Sequence, residues 1–345
     1  MVGRESIVRN EGEATMKKAY FADKEWLSEE QWAIVEQEFA QSGVELVGKE
    51  WKTEEEIIRE GKDAHAILVI ALPITRRVMD ELPDLEVIVR CGIGLDCVDL
   101  PAATEKGIIV CNVPDYCVDE VSNHALALLL NFNRQIKGFA KRAKEGGYGP
   151  GNEIVIERLE GKNLGILGYG RIGRSLARKA SALGLNIAVY DPFVQSIAEE
   201  NVQLHSSLPE FLSDCDYVSI HTPLTPDTFH LFSYEEFAQM KKSAVLINVS
   251  RGAIVDKDAL YDALTTGKIA GAGLDVCEGE PVDRDEPLIH LENVIYTPHV
   301  AMFSRESLET MYRQVSAQAI QALGGVWPNN VVNQKLKDTW LQKEK

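Results

Sequence analysis

Short apolar runs alternate with amphipathic stretches over the first third of the chain. The runs at 66–70, 86–89 and 108–110 contain few polar residues and do not alternate as a half-exposed strand would. Such runs predict parallel strands buried on both faces, and the stretch 28–41 predicts a helix capped by Ser28. The pattern indicates a small doubly wound α/β domain whose first strand starts near Met16.

A second strand–helix series begins near residue 163. Strands are predicted at 164–167, 186–190, 217–220, 244–249, 271–276 and 294–296, with helical stretches between several of them. Six strands in this style match the doubly wound dinucleotide-binding fold. Apolar residues then recur at helical spacing over 304–323, which predicts a final amphipathic helix.

The segment 118–137, between the two series, predicts one long helix that is apolar nearly all round. Val121 and Ala125 belong to one apolar stripe, but Leu126 and Leu130 add apolar residues on other sides. A helix without a polar face must be buried on several sides. We therefore expect this helix to lie between domains or between subunits.

Length and composition narrow the class of protein. The 345 residues are enough for two domains, and 45 % hydrophobic with 26 % charged residues is typical of globular proteins. A net charge of −17 disfavours binding to nucleic acid or to anionic membrane surfaces, and the apolar runs are too short to span a membrane. Six cysteines without a C-x-x-C pair predict neither a disulfide framework nor a zinc site. We expect no metal and a cytoplasmic location.

The first fifteen residues are polar, carry no period and precede a second methionine, Met16. No signal-peptide pattern opens the chain. We expect residues 1–15 to be a flexible extension outside the fold, with Met16 as the native start of translation.

A G-x-G-x-x-G motif follows the predicted strand 164–167 and opens a predicted helix at 171–183; its residues are Gly168, Tyr169, Gly170, Arg171, Ile172 and Gly173. In that context the backbone N–H groups and the helix dipole would face a pyrophosphate. Asp191 ends the next predicted strand, close to the ~20 residues expected after the motif. A carboxylate there accepts hydrogen bonds from ribose hydroxyls and repels a 2′-phosphate. The motif predicts a site for NAD rather than NADP, against the simpler alternative of a structural glycine turn.

Three ionisable residues stand just after later predicted strands. Arg251, Glu280 and His299 offer a cation for an anionic substrate, an orienting acceptor and a proton carrier. Doubly wound sheets bind ligands at these strand ends, which favours one shared site. Taken singly, each residue could also be a surface cation, a solvated acid or a loop histidine.

The order of the motifs resembles that of the D-isomer-specific 2-hydroxyacid dehydrogenases, from about residue 69 to residue 332. The matching motifs are G-x-G-x-x-G, Asp191, His221-Thr222-Pro223-Leu224, Ser250-Arg251-Gly252, Leu274-Asp275-Val276 and Thr297-Pro298-His299. Within the family, the segments 90–96, 111–114 and 299–301 are similar to the branch of the C-terminal-binding-protein corepressors and their bacterial enzyme relatives.

The resemblance implies a role for each matching residue. His299 would be the general acid toward the keto oxygen, Glu280 would orient its imidazole, and Arg251 would bind the substrate carbonyl and carboxylate. The loop at Ile93 and Gly94 matches the place where the family binds the carboxylate through backbone N–H groups. Asp275 would face the nicotinamide carboxamide. Met302 departs from the family pattern, because many members have a small residue there; as a flexible apolar residue it suits a wall of the substrate pocket, with ordinary packing as the alternative. Contacts with NAD are implied for the glycine motif and for Asp191, Thr222, Pro223, Val249, Ser250, Arg251, Asp275 and His299.

The resemblance also implies an α/β architecture of two doubly wound parallel-sheet domains. A Rossmann NAD-binding domain at 119–299 would be inserted into a flavodoxin-like substrate domain formed by 16–118 and 300–345. A homodimer through the NAD-binding domain is implied, and it would bury the helix at 118–137. Asn123 departs from the family pattern, because an acidic residue often stands there and that polar contact is therefore in doubt.

These features predict an NAD-dependent D-2-hydroxyacid dehydrogenase that reduces small 2-oxo acids. An alternative is an NAD(H)-sensing protein of the corepressor type, which binds a partner with little turnover. The presence of the arginine, glutamate and histidine together favours turnover. The cysteines near the carboxylate-binding loop are expected to be inert, with oxidation that disturbs substrate binding as the alternative; they are Cys91, Cys97, Cys111 and Cys117.

Overall fold

The computed structural model describes residues 16–150, 156–199 and 201–343, which divide into two units. The first unit comprises the residues up to Tyr116 and those from Leu308 onward, and the second unit runs from Cys117 to Ser307. The expectations for residues 1–15 fall outside the described residues.

Strands and helices alternate along both units, as the sequence pattern predicts. The strands are β1 (Lys18–Phe21), β2 (Glu45–Gly48), β3 (Ala66–Val69), β4 (Val87–Arg90), β5 (Ile109–Cys111), β6 (Asn163–Leu167), β7 (Asn186–Tyr190), β8 (Val202–Leu204), β9 (Tyr217–Ile220), β10 (Val245–Asn248), β11 (Gly271–Leu274) and β12 (Val294–Tyr296). The helices are α1 (Glu29–Phe39), α2 (Glu54–Glu60), α3 (Arg76–Glu81), α4 (Leu100–Lys106), α5 (Val118–Arg134), α6 (Ile136–Lys144), α7 (Arg171–Ser181), α8 (Leu208–Asp214), α9 (Tyr234–Gln239), α10 (Lys257–Thr265), α11 (Pro287–His290), α12 (Arg305–Leu323) and α13 (Lys337–Lys343).

The first unit is built on a parallel sheet with the strand order β2-β1-β3-β4-β5. Successive side chains of a strand point to opposite faces, so Phe21 packs with Val35 of α1 and Tyr312 of α12, whereas Tyr20 packs with Ile57 of α2 on the other face. Both faces of the sheet are therefore covered by helices. This strand order is the flavodoxin-like one, which confirms the predicted doubly wound fold.

Ser28 caps α1, as the sequence predicts. Its hydroxyl accepts the backbone N–H of Gln31 at 3.3 Å, and the Gln31 side chain accepts the backbone N–H of Ser28 at 2.9 Å. This reciprocal pair satisfies two N–H groups that would otherwise lack a helical partner.

The second unit contains a parallel sheet with the order β12-β11-β10-β9-β6-β7-β8. The strand order reverses between β6 and β9, which is where doubly wound sheets form their ligand crevice. Six strands were predicted here, and the structure adds β8. This strand has three residues and no fully buried side chain, so its sequence carries no apolar run that a pattern could detect. Strand β2 of the first unit escaped prediction for the same reason.

The prediction of one long helix over 118–137 is wrong at the C-terminal end of that segment. Helix α5 ends at Arg134, because Gln135 adopts a left-handed conformation with a φ of 52°, and α6 then begins at Ile136. The apolar periodicity continues across this break, so the sequence pattern did not indicate that the helix ends there. The side chains of Leu126 and Leu130 are half-buried, and Ala127 is exposed.

The divisions between the units differ by a few residues from the predicted domain boundaries of 118/119 and 299/300. The larger difference is at the second boundary, which was predicted at 299/300. The structure keeps the residues up to Ser307 with the second unit. Hydrogen bonds within that unit explain this: Asp275 accepts the backbone N–H groups of Val300 and Ala301, and the Ser304 hydroxyl donates to Glu120 at 2.7 Å.

Candidate active site

The glycine motif forms the turn between β6 and α7. Gly168 has a φ of 91°, and a Cβ at this position would lie 2.7 Å from the backbone nitrogen of Thr222. A Cβ on Gly173 would lie 2.3 Å from the carbonyl oxygen of Gly168, so this glycine allows α7 to pack against the turn. Around Gly170 the space is open to at least 4 Å, and no side chain caps α7. The turn therefore suits an anion such as the pyrophosphate of a dinucleotide.

Asp191 follows β7 and lies beside this turn. Its Oδ2 accepts the backbone N–H of Tyr169 at 2.8 Å, and its Oδ1 accepts the backbone N–H of Phe193 at 2.9 Å. Arg171 and Ile172 form the first turn of α7, with Arg171 exposed. The structure thus brings the carboxylate and the glycine motif together at one edge of the sheet.

The loops after β9 and β10 are joined by polar contacts. The Ser250 hydroxyl donates to the carbonyl of Thr222. Asn248, which is 1 % exposed, accepts the backbone N–H of Ser250 at 3.1 Å and donates to the carbonyl of Arg251 at 2.9 Å. Val249 lies between them, and Pro223 follows Thr222 in an exposed position. Asn248 was not identified from the sequence, although a polar residue that ends an apolar strand was a usable signal.

Arg251 lies where the loop after β10 meets the loop after β11. Its Nη1 donates to the carbonyl of Ser250 at 2.8 Å, which orients the guanidinium. A Cβ on the next residue, Gly252, would lie 2.0 Å from the carbonyl carbon of Cys277. The two backbones touch at this point, so the glycine sets how closely Arg251 approaches the loop that carries Glu280.

His299 and Glu280 form a direct pair. The Nδ1 of His299 lies 2.8 Å from the Oε2 of Glu280, and 43 % of the histidine side chain is exposed. His299 has a φ of 55°, a left-handed conformation that histidine tolerates better than most residues. Its backbone N–H donates to the carbonyl of Asp275 at 2.8 Å, which holds this conformation. With Nδ1 bonded to the carboxylate, Nε2 is the ring nitrogen left for a substrate.

The environment of Glu280 keeps it ionised. Burial alone would raise the pKa of Glu280, but the hydrogen bonds from His299 and from the backbone of Cys277, with the charges of His299 and Arg251, lower the pKa below its ordinary value. A lowered folded-state pKa stabilises the fold above the unfolded-state pKa of glutamate. That contribution is lost as the pH falls through the lowered pKa of Glu280, so at neutral pH the carboxylate is available to orient His299.

Another histidine close to the glycine turn does not suit proton transfer at neutral pH. Burial lowers the pKa of His221 to about 4, so its ring is neutral there. The Nε2 of His221 lies 2.9 Å from the hydroxyl of Ser219 in β9. His299 is the better candidate for an acid.

Asp275 is 1 % exposed, and both of its carboxylate oxygens are engaged. Oδ1 accepts the Thr297 hydroxyl at 2.6 Å and the backbone N–H of Val300 at 3.0 Å, and Oδ2 accepts the backbone N–H of Ala301 at 2.8 Å. In this structure Asp275 anchors the loop that carries His299. The sequence analysis missed this role, since it depends on which backbone N–H groups the fold places around the carboxylate.

Asn123, which departs from the family pattern, has two side-chain partners in the structure. Its Oδ1 accepts from Lys179 at 2.7 Å, and its Nδ2 donates to Asp119 at 2.9 Å. Lys179 also donates to Asp119 at 2.6 Å, so the aspartate one turn earlier supplies the negative charge that residue 123 lacks. This cluster joins α5 to α7.

Ile93 and Gly94 belong to the first unit, in the loop after β4. The Asn112 side chain donates to the carbonyl of Ile93 at 2.7 Å, which leaves the N–H groups of the loop outside that contact. Met302 belongs to the second unit and is half-buried. That these residues bind the substrate stays a prediction.

All six cysteines are free thiols, and burial makes several of them poor nucleophiles. Burial raises the pKa of Cys91 and Cys97, and it raises the pKa of Cys111 to about 12. These thiols are protonated at neutral pH, which supports the expectation that they are inert.

Two kinds of feature are absent from residues 16–150, 156–199 and 201–343. No helix in these ranges combines the length and the apolarity needed to cross a membrane. No group of three or more histidine, cysteine, aspartate or glutamate side chains in the same ranges could hold a metal ion.

Comparison with known proteins matches residues 126–301 to the family model described as D-isomer specific 2-hydroxyacid dehydrogenase, NAD binding domain. The D-3-phosphoglycerate dehydrogenase of Methanocaldococcus jannaschii is 40 % identical over 284 residues, which are 81 % of this chain and 54 % of that protein. The glyoxylate reductase of Korarchaeum cryptofilum is 37 % identical over 81 % of this chain and 86 % of that enzyme. The D-lactate dehydrogenase of Aquifex aeolicus, solved with NAD and lactic acid, has a TM-score of 0.80, 28 % identity, and coverage of 91 % of this chain and 99 % of that one. The chain thus spans about half the length of the first relative and most of the other two.

Proposed function

Because this chain belongs to the D-isomer specific 2-hydroxyacid dehydrogenase family, we propose that it is an NAD-dependent D-2-hydroxyacid dehydrogenase that reduces small 2-oxo acids. The family, the NAD-binding domain and the oxidoreductase class predicted from the sequence are confirmed. The similarity to the corepressor branch stays a prediction. The proposal is carried by the His299–Glu280 pair, which lies 2.8 Å apart on the loops after β12 and β11.

The proposed mechanism assigns one task to each of the three residues. When bound, NADH supplies the hydride that reduces the carbonyl carbon. His299 donates a proton from Nε2 to the carbonyl oxygen, and Glu280 holds the ring by its Nδ1 and stabilises its positive charge. Arg251 binds the carbonyl and carboxylate oxygens and stabilises the negative charge that develops as the carbonyl is reduced. In the oxidative direction His299 accepts the proton.

The proposed cofactor site consists of the glycine turn, Asp191 and the loops after β9 and β10. The N-terminus of α7 would bind the pyrophosphate, and Asp191 would bind the adenosine ribose. Thr222, Pro223, Val249 and Ser250 would line the remaining cofactor, with Arg251 and His299 near the nicotinamide. Asp275, predicted from the resemblance to face the nicotinamide, would instead act through the loop that it anchors. On this assignment the second unit is the NAD-binding domain and the first unit is the substrate domain.

Asp191→Ala should weaken NADH binding and reduce the preference for NADH over NADPH. The carboxylate that repels a 2′-phosphate would be gone, and the backbone N–H groups of Tyr169 and Phe193 would lose their acceptor. The measurement is kcat/KM with each cofactor. As a control, Asp285→Ala removes an exposed carboxylate elsewhere in the same unit and should leave the ratio unchanged. A parent protein that uses both cofactors equally would contradict the placement of Asp191.

A steady-state assay with NADH and a panel of glyoxylate, hydroxypyruvate, pyruvate and longer 2-oxo acids tests the function directly. Proteins related to this chain are named phosphoglycerate dehydrogenase, glyoxylate reductase, glycerate dehydrogenase and hydroxypyruvate reductase, which supports small 2-oxo acids as substrates. We expect turnover with at least one member and a D-2-hydroxy acid as the product. Tight NADH binding without turnover on any member would instead support the NAD(H)-sensing alternative.

We also propose that the chain forms a homodimer in the cytoplasm. Helix α6 contains no buried residue, yet Ile136, Phe139, Ala140 and Ala143 recur at helical spacing along one side of it. Ile136 is 54 % exposed. An apolar stripe of this kind on an otherwise charged helix suits contact with a second copy of the chain. The free thiols suit a reducing compartment.

Ile136→Glu should convert the dimer to a monomer, because a charge buried in an apolar interface is left without a partner. Light scattering during size-exclusion chromatography measures the mass. Lys144→Gln makes the same change of one charge unit on the same helix and should leave the mass unaltered. If both variants keep the mass of the parent protein, α6 is not the interface.

A further inference from the structure

The loop that carries His299 is held from two directions. From the sheet, Asp275 accepts the Thr297 hydroxyl and the backbone N–H groups of Val300 and Ala301. From helix α5, two side chains one turn apart reach the same loop. His124 Nε2 lies 2.9 Å from the Thr297 hydroxyl, and Glu120 accepts the Ser304 hydroxyl at 2.7 Å.

The direction of these hydrogen bonds determines which nitrogen of His124 carries a proton. Thr297 has one hydroxyl hydrogen, and the Asp275 carboxylate, 2.6 Å away, can only accept. The hydroxyl therefore has only lone pairs to offer His124, so Nε2 must be protonated and must donate. The same Nε2 lies 3.6 Å from Oδ1 of Asp275, and the histidine side chain is 23 % exposed. His124, Thr297 and Asp275 form a directed chain that ends at the loop of His299.

Helix α5 is a firm support for this chain of hydrogen bonds. On the same helix as His124, the Ser122 hydroxyl lies 3.1 Å from the Ser175 hydroxyl of α7 in a buried contact, and Lys179 donates to the Ser122 hydroxyl at 2.7 Å. His299 itself is held in a left-handed conformation that needs support from its surroundings. A support that shifts by a fraction of an ångström would move the proton donor.

We propose that His124 is a positioning residue for the acid/base histidine: its Nε2–H fixes the Thr297 hydroxyl, and through it the Asp275 carboxylate that places His299. This inference rests on the proposed function, since it assigns His124 to the same reaction. His124 does not touch the reacting atoms. It acts on the rate by keeping Nε2 of His299 in line with the substrate oxygen.

The first test compares two substitutions at this position. His124→Leu removes the donor, and we expect kcat to fall by ~10- to 10²-fold, the range in which a displacement of about 1 Å lowers the rate. The KM for NADH should stay close to that of the parent protein, because the glycine turn and Asp191 are untouched. In His124→Gln the amide nitrogen occupies a position close to that of Nε2 and still donates, so kcat should recover most of this loss. His290→Leu, on the exposed end of α11, is the matched control and should change neither constant.

A second substitution separates positioning from a loss of folding. Thr297→Val keeps the shape of the side chain but removes the hydroxyl that links His124 to Asp275, and it should reproduce the fall in kcat. The double variant His124→Leu/Thr297→Val should be no slower than the slower single variant, because both changes break one chain. Independent, multiplicative losses would overturn the proposal, as would equal losses in His124→Leu and His124→Gln. Parent-like kcat in His124→Leu would also overturn it.

The hydrogen bond can be tested without any activity. The chain has seven histidines, so the ring nitrogens of a ¹⁵N-histidine-labelled sample give a tractable NMR spectrum, and His124→Gln identifies the signals of His124. We expect a protonated Nε2 and a bare Nδ1, with a changed Nε2 signal in Thr297→Val. A ring protonated only at Nδ1 would refute the hydrogen-bond direction. If the parent protein reduced no 2-oxo acid, the proposed function would fail, whereas this spectrum would still decide the place of His124.

Discussion

Replacing His299 by asparagine should lower kcat by about 10²- to 10⁴-fold, the range that a positioned proton donor contributes. Asparagine tolerates the left-handed backbone at this position, where φ is 55°. The amide nitrogen of asparagine stands near the place of Nδ1 and can still donate to Glu280. In the parent protein, Nδ1 of His299 lies 2.8 Å from Oε2 of Glu280. The variant therefore removes the acid at Nε2 and keeps the local structure.

Binding of NADH, measured by the quenching of protein fluorescence, should be within error of that of the parent, and so should the melting temperature. Asn201→Ala, at an exposed position before β8, is a control that should keep full turnover. A His299→Asn protein with near-parent kcat would remove His299 from the mechanism. That result would not contradict the proposed NAD site.

Replacing Arg251 by lysine should lower kcat/KM for the 2-oxo acid by ~10²-fold. Lysine keeps the charge, but it loses the planar fork that binds two oxygens at once. One arm of the guanidinium already donates to the carbonyl of Ser250 at 2.8 Å, so the group is oriented before substrate arrives. A lysine at this position has no second nitrogen with which to keep that contact. We expect a higher KM for the 2-oxo acid and a lower kcat.

The same measurement on Arg284→Lys provides the control, since that arginine side chain is 92 % exposed in the same unit. The KM for NADH should be similar in all three proteins. An unchanged kcat/KM in Arg251→Lys would mean that this arginine serves only to fix the loop after β10. A parallel loss of NADH affinity would mean that Arg251 serves mainly to bind the cofactor rather than the 2-oxo acid.

The elements that sequence analysis predicted well are those with a local cause. Strands such as β3 and β9 are continuous apolar runs because both faces of the sheet are covered, and the same burial makes them visible in the sequence. Ser28 is a helix cap because its hydroxyl reaches an N–H three residues away. The break at Gln135 had no such local signal, and the apolar pattern ran across it.

The candidate site shows the same division. The glycine motif was readable because its conformation and its close contacts demand glycine at fixed spacing. The role of His124 could not be predicted from the sequence, because it depends on a partner in a different strand–helix unit. His124 lies 173 residues from Thr297 in the chain.

The sequence by itself determined the two doubly wound units, the nucleotide turn and the identity of the ionisable residues at the strand ends. These are consequences of burial and of backbone conformation, which act within a few residues of the chain. Only the tertiary structure decided that Glu280 bonds Nδ1 of His299, that Asp275 turns inward to hold the loop, and that Asp119 replaces the charge missing at Asn123. A hydrogen bond requires two groups within about 3 Å in a definite direction, and for residues far apart in the chain that condition is met only once the sheet and its helices have packed.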